Sequence, residues 1–253
     1  MMYFLRPRQV ILRDYPEISA ENVMRVVTEY NQIGCYVSGD TIEGFQYELC
    51  RAISDMSGLE VQIFLEMSLA ESFKGLESGK YDVIARNIPI TTEIREKYLF
   101  IDPIILDKQV LVQRKAEFND SIAPIRNQLE LAGKTLYVPA NSSAMLRLQN
   151  LQHEIGDTIY IVEEKLYSAE QLIIMVAKGD IDYAVCELRA SETAKKQLPE
   201  IDIATDIGFT QLQSWVLRRQ SPALSDSLDK WFDYMRDTGV YDDIFERYYT
   251  KNR

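Results

Sequence analysis

The residues with the clearest potential for chemistry lie where an apolar run passes through a polar turn into a short helical segment. The run ends at Ala85, and Thr91 then begins a segment that contains Arg95. Ligands in open α/β sheets gather where strands end and helices begin, and an arginine can hold a carboxylate through two parallel hydrogen bonds. This pattern predicts a small-molecule site built around a carboxylate. An ordinary surface arginine on a short helix is the alternative interpretation of Arg95.

The second half of the chain offers two further candidate groups. Asn141, Ser142 and Ser143 open a helical segment after an apolar stretch, and free backbone N–H groups at a helix start attract an anion. An ordinary helix N-cap is the alternative. Glu187 ends another apolar stretch, where its carboxylate would suit an ammonium group. Alternatively it caps the next helix, because acids near a helix start are stabilised by the helix dipole.

A mixed aromatic and polar set near the start of the chain resembles the walls of a small-molecule site. The set comprises Tyr30, Asn31, Tyr36 and Phe45. Aromatic faces line many ligand clefts, although such residues more often lie in a core or on a surface. A binding role for this set is therefore a hypothesis that competes with plain packing.

Catalytic chemistry finds little support in the sequence. The single histidine, His153, lies in a polar segment without a nucleophile motif nearby, and no phosphate-binding glycine loop occurs. Cys35, Cys50 and Cys186 are scattered without metal-ligand spacing, so we expect free buried thiols. We assign no catalytic residue and expect a protein that is not an enzyme and uses no metal or organic cofactor. Acid–base catalysis by carboxylates alone stays open.

The size and charge of the chain narrow its class. It has 253 residues, of which 46% are hydrophobic, and a formal net charge of −11. That length suits one large domain or two lobes with a sizeable core. The negative charge argues against nucleic acid and anionic membrane surfaces as main partners. No apolar run reaches the roughly 18 residues that a transmembrane helix needs.

The elements that must position these groups form a pattern that repeats in the two halves of the chain. The first series has predicted strands at 23–29, 61–65 and 83–88, with helices at 44–57 and after Ser68. The second has strands at 135–138, 160–162 and 183–186, with helices starting near Ser142 and Ser168. Strands at 109–113 and 215–217 and helices at 223–236 and 240–248 complete the prediction. This order implies two α/β lobes with parallel sheets.

Several segments together resemble the bacterial extracellular solute-binding proteins of family 3, which are the amino-acid receptors of ABC transporters. They occur in the family's order at 44–49, 78–83, 91–95, 100–103, 133–138 and 239–245. A narrower resemblance, to the regulatory domain of the membrane-bound lytic murein transglycosylase F group, rests on segments 26–31, 109–115, 150–158 and 179–183. In that group the module is fused to a peptidoglycan-cleaving domain. We therefore expect either a stand-alone relative or a shortened form.

The resemblance implies a two-lobed type II periplasmic-binding-protein fold of the α/β class. Each lobe would be a mixed, mostly parallel sheet flanked by helices, and two hinge strands would join the lobes. Lobe one would comprise 22–112 and 213–253, lobe two would be the inserted segment 113–212, and residues 1–21 would form an extended lead-in. Ligand would lie in a cleft that closes by a hinge motion.

The resemblance also implies roles for the candidate residues. Arg95 matches the family's carboxylate-binding arginine, and Thr91 matches the hydroxyl-bearing residue before it. Ser142 and Ser143 match contacts to an anion at a helix start, and Glu187 matches the ammonium-binding acid, where Asp is the usual residue.

Two departures from the family leave the ligand open. Asn87 and Pro89 stand where family receptors usually carry Gly and Thr, and the proline removes an N–H donor. One extra residue, near Ile94, shifts Arg95 along the helix. A cell-wall-derived peptide is therefore as much an expectation as a free amino acid.

We expect a monomeric, periplasmic or otherwise extracytoplasmic solute-binding protein, lipid-anchored if its full-length form carries the signal for it. Its partners would be a small zwitterionic ligand and either an ABC permease, for uptake, or a cell-wall enzyme. The alternative is a ligand-sensing regulatory module of the transglycosylase F type. A dehydratase-type enzyme on the same fold is a third possibility.

Overall fold

A computed structural model describes residues 12–31, 33–140 and 142–250, without the side chains of Ser143, Leu146 and Thr250. The described chain forms two compact units. Unit 1 extends to Ile104 and resumes from Ser214 to Thr250, whereas unit 2 comprises Ile105–Gln213. Asn141 and the first eleven residues of the expected lead-in lie outside the described residues.

Helices and strands alternate through most of both units. The α-helices are α1 (Tyr15–Glu21), α2 (Phe45–Ser57), α3 (Leu69–Glu77), α4 (Thr92–Lys97), α5 (Ser143–Ile155), α6 (Ala169–Lys178), α7 (Leu188–Lys195), α8 (Pro222–Asp237) and α9 (Val240–Phe245). The strands are β1 (Val23–Thr28), β2 (Tyr36–Ser38), β3 (Thr41–Glu43), β4 (Glu60–Leu65), β5 (Val83–Pro89), β6 (Tyr98–Phe100), β7 (Ile105–Asp107), β8 (Gln109–Arg114), β9 (Thr135–Pro139), β10 (Tyr160–Glu164), β11 (Ala184–Glu187), β12 (Ile201–Asp206) and β13 (Gln211–Arg218). Short 3₁₀ turns lie at Ala116–Phe118 and Gln128–Leu131.

Unit 1 is built around a sheet with the strand order β4-β1-β5-β13-β6. Strand β1 is parallel to β4 and to β5, as predicted for a strand–helix–strand series. Residues Val83, Ile84 and Ala85 of β5 are fully buried, which is typical of a parallel strand covered on both faces. Helices α2 and α8 cover one face through a core that includes Phe45 and Phe232.

Unit 2 contains a second sheet in the order β10-β9-β11-β8-β12. Strands β9, β10 and β11 are parallel, whereas β8 runs antiparallel to β11 and β12. Successive residues of β8 point to opposite faces. Leu111 therefore joins the core beneath α5, and Val110 and Val112 join the core beneath α6. Two sheets flanked by helices confirm the predicted α/β class.

The loop before α2 requires glycine at a close backbone approach. Gly44 has φ +133°, and a Cβ there would lie 2.3 Å from the carbonyl oxygen of Gly34. The Gly44 N–H donates a hydrogen bond to Tyr248 Oη over 3.0 Å. This approach ties the turn after β1 to the start of α2, close to the polar residues that follow β1.

The expectation of an extended lead-in is wrong for residues 15–21, which form α1. Asp14 caps this helix, and its capping box with Glu17 supplies hydrogen bonds to both ends of the first turn. Arg13 is also buried, where it contacts Asp82. The lead-in is therefore packed onto unit 1 from residue 13 onwards.

The crossings between the units differ from the expected boundaries. The first crossing was expected after residue 112 and lies after Ile104, because β8 sits in the middle of the unit 2 sheet between β11 and β12. The second lies after Gln213, one residue beyond the expected position. Gln213 pairs with Ile105 in the register of β13 and β7, so the two crossings are neighbours in one ladder.

Candidate functional site

Polar and charged residues gather at the carboxyl ends of β1 and β5 in unit 1. The Thr28 hydroxyl donates to the Ala85 carbonyl over 2.7 Å, which fixes the end of β1 beside the middle of β5. Immediately beyond, Glu29 and Arg86 form an ion pair. The carboxyl edge of a parallel sheet is where ligands bind in open α/β folds. The strand ends therefore define a candidate site.

Asn31 shapes the turn after β1 and orients Glu29. Its Oδ1 accepts from the N–H groups of Ile33 and Gly34, at 3.1 and 2.5 Å. Its Nδ2 donates to Glu29 Oε1 over 3.0 Å, while Glu29 Oε2 accepts from Arg86. The predicted binding residue Asn31 thus holds the Glu29 carboxylate in place.

Asn87 belongs to a partly buried series of hydrogen bonds between side chains. Its Oδ1 accepts from Gln46 Nε2 over 2.7 Å, and its Nδ2 donates to Tyr249 Oη over 3.0 Å. Gln46 Oε1 in turn accepts from Trp215 Nε1 over 2.7 Å. Because the amide oxygen and the amide nitrogen of Asn87 both hydrogen-bond to protein side chains, Asn87 connects β5 to the C-terminal segment in this structure.

Arg95 and Thr91 take no part in these hydrogen bonds. Arg95 lies in α4, and Thr91 is the N-cap of that helix. The Thr91 hydroxyl accepts from the Ile94 N–H over 3.4 Å and so caps its own helix. Arg95 is exposed, and its carbonyl accepts from Arg219 Nη1 over 2.7 Å. Within the described chain, no hydrogen bond or ion pair involves the Arg95 guanidinium. The group is available to a ligand, but no protein contact holds it in one orientation.

The predicted aromatic residues are spread over different environments. Tyr30 is nearly half exposed at the end of β1, and Phe45 is fully buried in the core of unit 1. Tyr36 lies in the β2–β3 hairpin, where its hydroxyl donates to Glu43 Oε2 over 3.1 Å. Of these three, Tyr30 is the residue that the fold brings to the strand edge.

The unit 2 candidates lie at the carboxyl ends of β9 and β11. Ser142 is the N-cap of α5, and its hydroxyl accepts from the Ala144 N–H over 3.1 Å. Ser143 begins the helix. Glu187 ends β11 and is the N-cap residue of α7, yet its side chain makes no capping hydrogen bond. Instead its Oε1 accepts from Gln213 Nε2 over 3.1 Å.

A buried acid on the strand before β8, Asp107, was not predicted. Asp107 is 4% exposed, and its Oδ1 accepts from the backbone N–H groups of Lys108 and Arg189, at 2.8 and 3.4 Å. Burial raises the pKa of the Asp107 carboxyl to about 6, against the opposing effect of those two hydrogen bonds. The sequence around Asp107 does not indicate that the residue is buried. Its burial results from contact with α7 and from the pairing of β7 with β13, which are distant in the sequence.

An open cavity of about 420 Å³ lies in unit 2 beside the segment that precedes β13. Its lining residues are Lys108, Gln128, Arg147, Glu154, Asp206, Ile207, Gly208, Phe209 and Thr210. The charged groups form pairs across it, including Lys108 with Asp206 at 2.7 Å and Arg147 with Glu154 at 2.8 Å. Among these described lining residues, no charge is left unmatched that would select a ligand.

Residues 12–31, 33–140 and 142–250 contain no group of three or more His, Cys, Asp or Glu side chains that could bind a metal ion. Cys35, Cys50 and Cys186 are buried with free thiols. Burial raises the pKa of each thiol, so none is activated as a thiolate. No helix in the described ranges is long and apolar enough to span a membrane.

Two α/β units with polar strand edges define the class of two-lobed solute-binding proteins with the type II periplasmic-binding-protein fold. The chain belongs to the bacterial extracellular solute-binding proteins, family 3, whose family model matches residues 24–251. Both the fold and the family predicted from the sequence are thereby confirmed.

Curated relatives carry the name membrane-bound lytic murein transglycosylase F, as the narrower resemblance predicted. The protein from Desulfosudis oleivorans is 29% identical over 226 residues, which cover 89% of this chain and 48% of that relative. The protein from Cronobacter sakazakii is 26% identical and covers 91% of this chain and 44% of the relative. The chain thus spans about half the length of the curated relatives it matches.

Solved structures with the same fold include several amino-acid-binding proteins. An ancestral arginine-binding protein bound to arginine has a TM-score of 0.78 and 22% identity, covering 90% of this chain and 98% of its own. A substrate-binding protein of an amino acid ABC transporter from Streptococcus pneumoniae, bound to L-arginine, has a TM-score of 0.77 and 20% identity, covering 92% and 97%. The solute receptor for L-cysteine of Neisseria gonorrhoeae has a TM-score of 0.79 and 18% identity, covering 93% of each chain.

Proposed function

We propose that this solute-binding module captures a small zwitterion, either an amino acid or a short cell-wall-derived peptide, outside the cytoplasm. The observation that carries the proposal is the placement of charged groups at the carboxyl edges of both sheets in a member of family 3. Glu187 would hold an ammonium group, and Arg95 would hold a carboxylate. Ser142 and Ser143, at the start of the thirteen-residue helix α5, would supply further contacts to the anion.

Glu187 suits the ammonium role because its carboxylate does not cap α7 and accepts a hydrogen bond from Gln213. Gln213 is 1% exposed, and its Oε1 has no hydrogen-bond partner within the described chain. A buried acceptor without a donor is unfavourable, since burial removes its water. An ammonium group of the ligand would supply donors both to this oxygen and to the Glu187 carboxylate.

Calorimetric titration tests the proposal. Wild-type protein would be titrated with each common L-amino acid and with the peptide L-Ala-γ-D-Glu-meso-diaminopimelate. We expect one of these compounds to bind, and Glu187→Gln and Arg95→Ala each to weaken it at least about tenfold, which corresponds to ~1.4 kcal/mol. Lys74→Ala, on the exposed surface of α3, is the matched control and should leave affinity unchanged.

Two results would contradict the proposal in different ways. An absence of heat with every compound would remove the small zwitterion as ligand. Unchanged affinity in both site variants, with binding intact, would mean that the ligand lies elsewhere on the protein. We further propose that the module binds without catalysis, so incubation with murein or with a prephenate-like carboxylated ring should yield no product.

The curated relatives favour a second candidate, a ligand-sensing regulatory module, over ABC-type uptake. These relatives are about twice as long as this chain and are named as transglycosylases. A sensor would pass its ligand state to a cell-wall enzyme, whereas an uptake receptor would dock on a permease. The gene neighbourhood separates the two: adjacent permease and ATPase genes support uptake, and an adjacent lytic transglycosylase supports sensing.

A further inference from the structure

A buried arginine nitrogen at the strand edge of unit 1 lacks an acceptor. Arg86 lies in β5, and its side chain is 11% exposed. Its Nη2 pairs with Glu29, whereas its Nη1 is shielded from solvent and has no hydrogen-bond partner within the described chain. Guanidinium N–H groups are strong donors that rarely stay unpaired when buried. A donor in this state marks a place where an acceptor belongs.

The surroundings of Arg86 hold it at the end of the sheet. The bond between Thr28 and Ala85 holds the end of β1 against the middle of β5, next to Arg86 in the sequence. Glu29 is itself held by Asn31 through a 3.0 Å hydrogen bond. The Arg86 guanidinium is therefore fixed in one orientation by its partner, with one of its two terminal nitrogens committed and the other unused.

We propose that Arg86 is a ligand-binding residue of unit 1 that receives a carboxylate oxygen on Nη1. This inference rests on the proposed function and deepens it, because Arg86 receives one carboxylate oxygen in addition to the contact proposed for Arg95. Arg95 is exposed on a six-residue helix, and no hydrogen bond or ion pair from the described residues orients its guanidinium. A guanidinium that is already oriented loses less conformational freedom on binding. Side chains that cover Nη1 must move aside when the carboxylate enters.

The pairing with Glu29 also specifies the class of ligand. Because Glu29 neutralises Arg86, a simple anion gains little net attraction at this edge. A zwitterion that places its carboxylate on Arg86 also carries a positive charge, which offsets the repulsion between the incoming carboxylate and Glu29. The site therefore favours an amino-acid-like molecule over an isolated anion of the same size.

The experiment monitors arginine side chains directly. Protein labelled with ¹⁵N-arginine would be titrated with sodium acetate or with L-alanine, at ionic strength matched by sodium chloride. The Nε–H signals of Arg86 and Arg95 are assigned by their loss in Arg86→Lys and Arg95→Lys. We expect a saturable shift of the Arg86 signal with both probes, and at least about tenfold tighter binding of L-alanine than of acetate.

Glu29→Gln provides a second test that leaves Arg86 in place. Removing the negative charge should strengthen acetate binding and reduce the preference for L-alanine several-fold. Probe-dependent shifts confined to Arg95, or no saturable shift of either signal, would overturn the inference. If acetate shifts Arg86 while no amino acid or peptide binds, the proposed function fails and the anion site stands. If amino acids bind without affecting the Arg86 signal, the proposed function stands and this inference falls.

Discussion

Asp82→Ala should be among the most destabilising single substitutions in unit 1. The Asp82 carboxylate is fully buried and accepts from Arg13, from Arg218 Nη2 at 3.3 Å and from the Arg25 backbone N–H at 2.9 Å. Arg13 and Arg218 are themselves buried. Burial lowers the pKa of the Arg218 guanidinium, and the Asp82 carboxylate opposes that effect. Removing Asp82 takes the common counter-ion from two buried cations, and Arg13 then keeps only the half-exposed Glu21 as an ion-pair partner.

The magnitude follows from the burial of the cluster. Removing one partner of a buried ion pair costs about 3–5 kcal/mol, because the remaining charge stays in a medium of low polarity. Arg218 keeps acceptors in the carbonyls of Leu76, Tyr81 and Arg13, so its donors stay mostly paired. The loss should therefore lie near 4 kcal/mol, roughly a third to a half of a typical domain's stability.

Urea unfolding followed by circular dichroism would measure this loss. The matched control is Asp233→Ala, which removes an exposed ion pair with Arg236 at 3.2 Å and should cost under about 1 kcal/mol. Asp82→Asn should give an intermediate loss, because the amide oxygen still accepts while the charge is gone. If Asp82→Ala loses no more stability than Asp233→Ala, the buried cluster does not hold the lead-in and the sheet together.

Two further predictions concern proton binding and backbone strain. Because the pKa of Asp107 is raised to about 6 in the folded protein, its contribution to stability is full below pH ~4 and is lost as pH rises through 6. Asp107→Asn should remove up to ~3 kcal/mol of this pH dependence, as measured by urea midpoints between pH 4 and 7.5; an unchanged pH profile would contradict it. Gly44→Ala should lower the melting temperature more than Gly39→Ala, since both have positive φ but only Gly44 meets a backbone atom. Equal losses would show that the close approach relaxes.

The sequence predicted those parts of the fold that carry strong apolar patterns. Strands β1 and β5 and helices α2 and α6 all have runs or helical spacing that their burial requires. Helix α1 was missed because its capping signal, Asp14 and Glu17, lies in a polar segment with little apolar periodicity. The β2–β3 hairpin was also missed, because short exposed strands need no apolar face.

For the candidate site, the sequence could predict where polar residues lie relative to the strands, but not the contacts that each side chain makes. Strand ends can be recognised from sequence, so Asn31 and Asn87 in unit 1 and Glu187 in unit 2 could each be placed near the end of a strand. Which of these side chains face a ligand depends on partners far along the chain. Asn87, for example, is engaged by Gln46 and Tyr249, at separations of 41 and 162 residues. Arg86 had a local signal, a charge within a strand, which becomes informative only once its pairing is known.

The net charge of the chain strengthens the case for a zwitterion over an anion. At −11, the average field repels anions, although salt screens it beyond roughly 10 Å. At the edge of unit 1, the Glu29 carboxylate cancels the charge of Arg86, so this buried guanidinium offsets little of that repulsion. A ligand with both charges avoids this penalty, because its ammonium group interacts with the acids that repel its carboxylate. The same acids that disfavour nucleic acid and anionic membranes therefore favour a doubly charged small molecule.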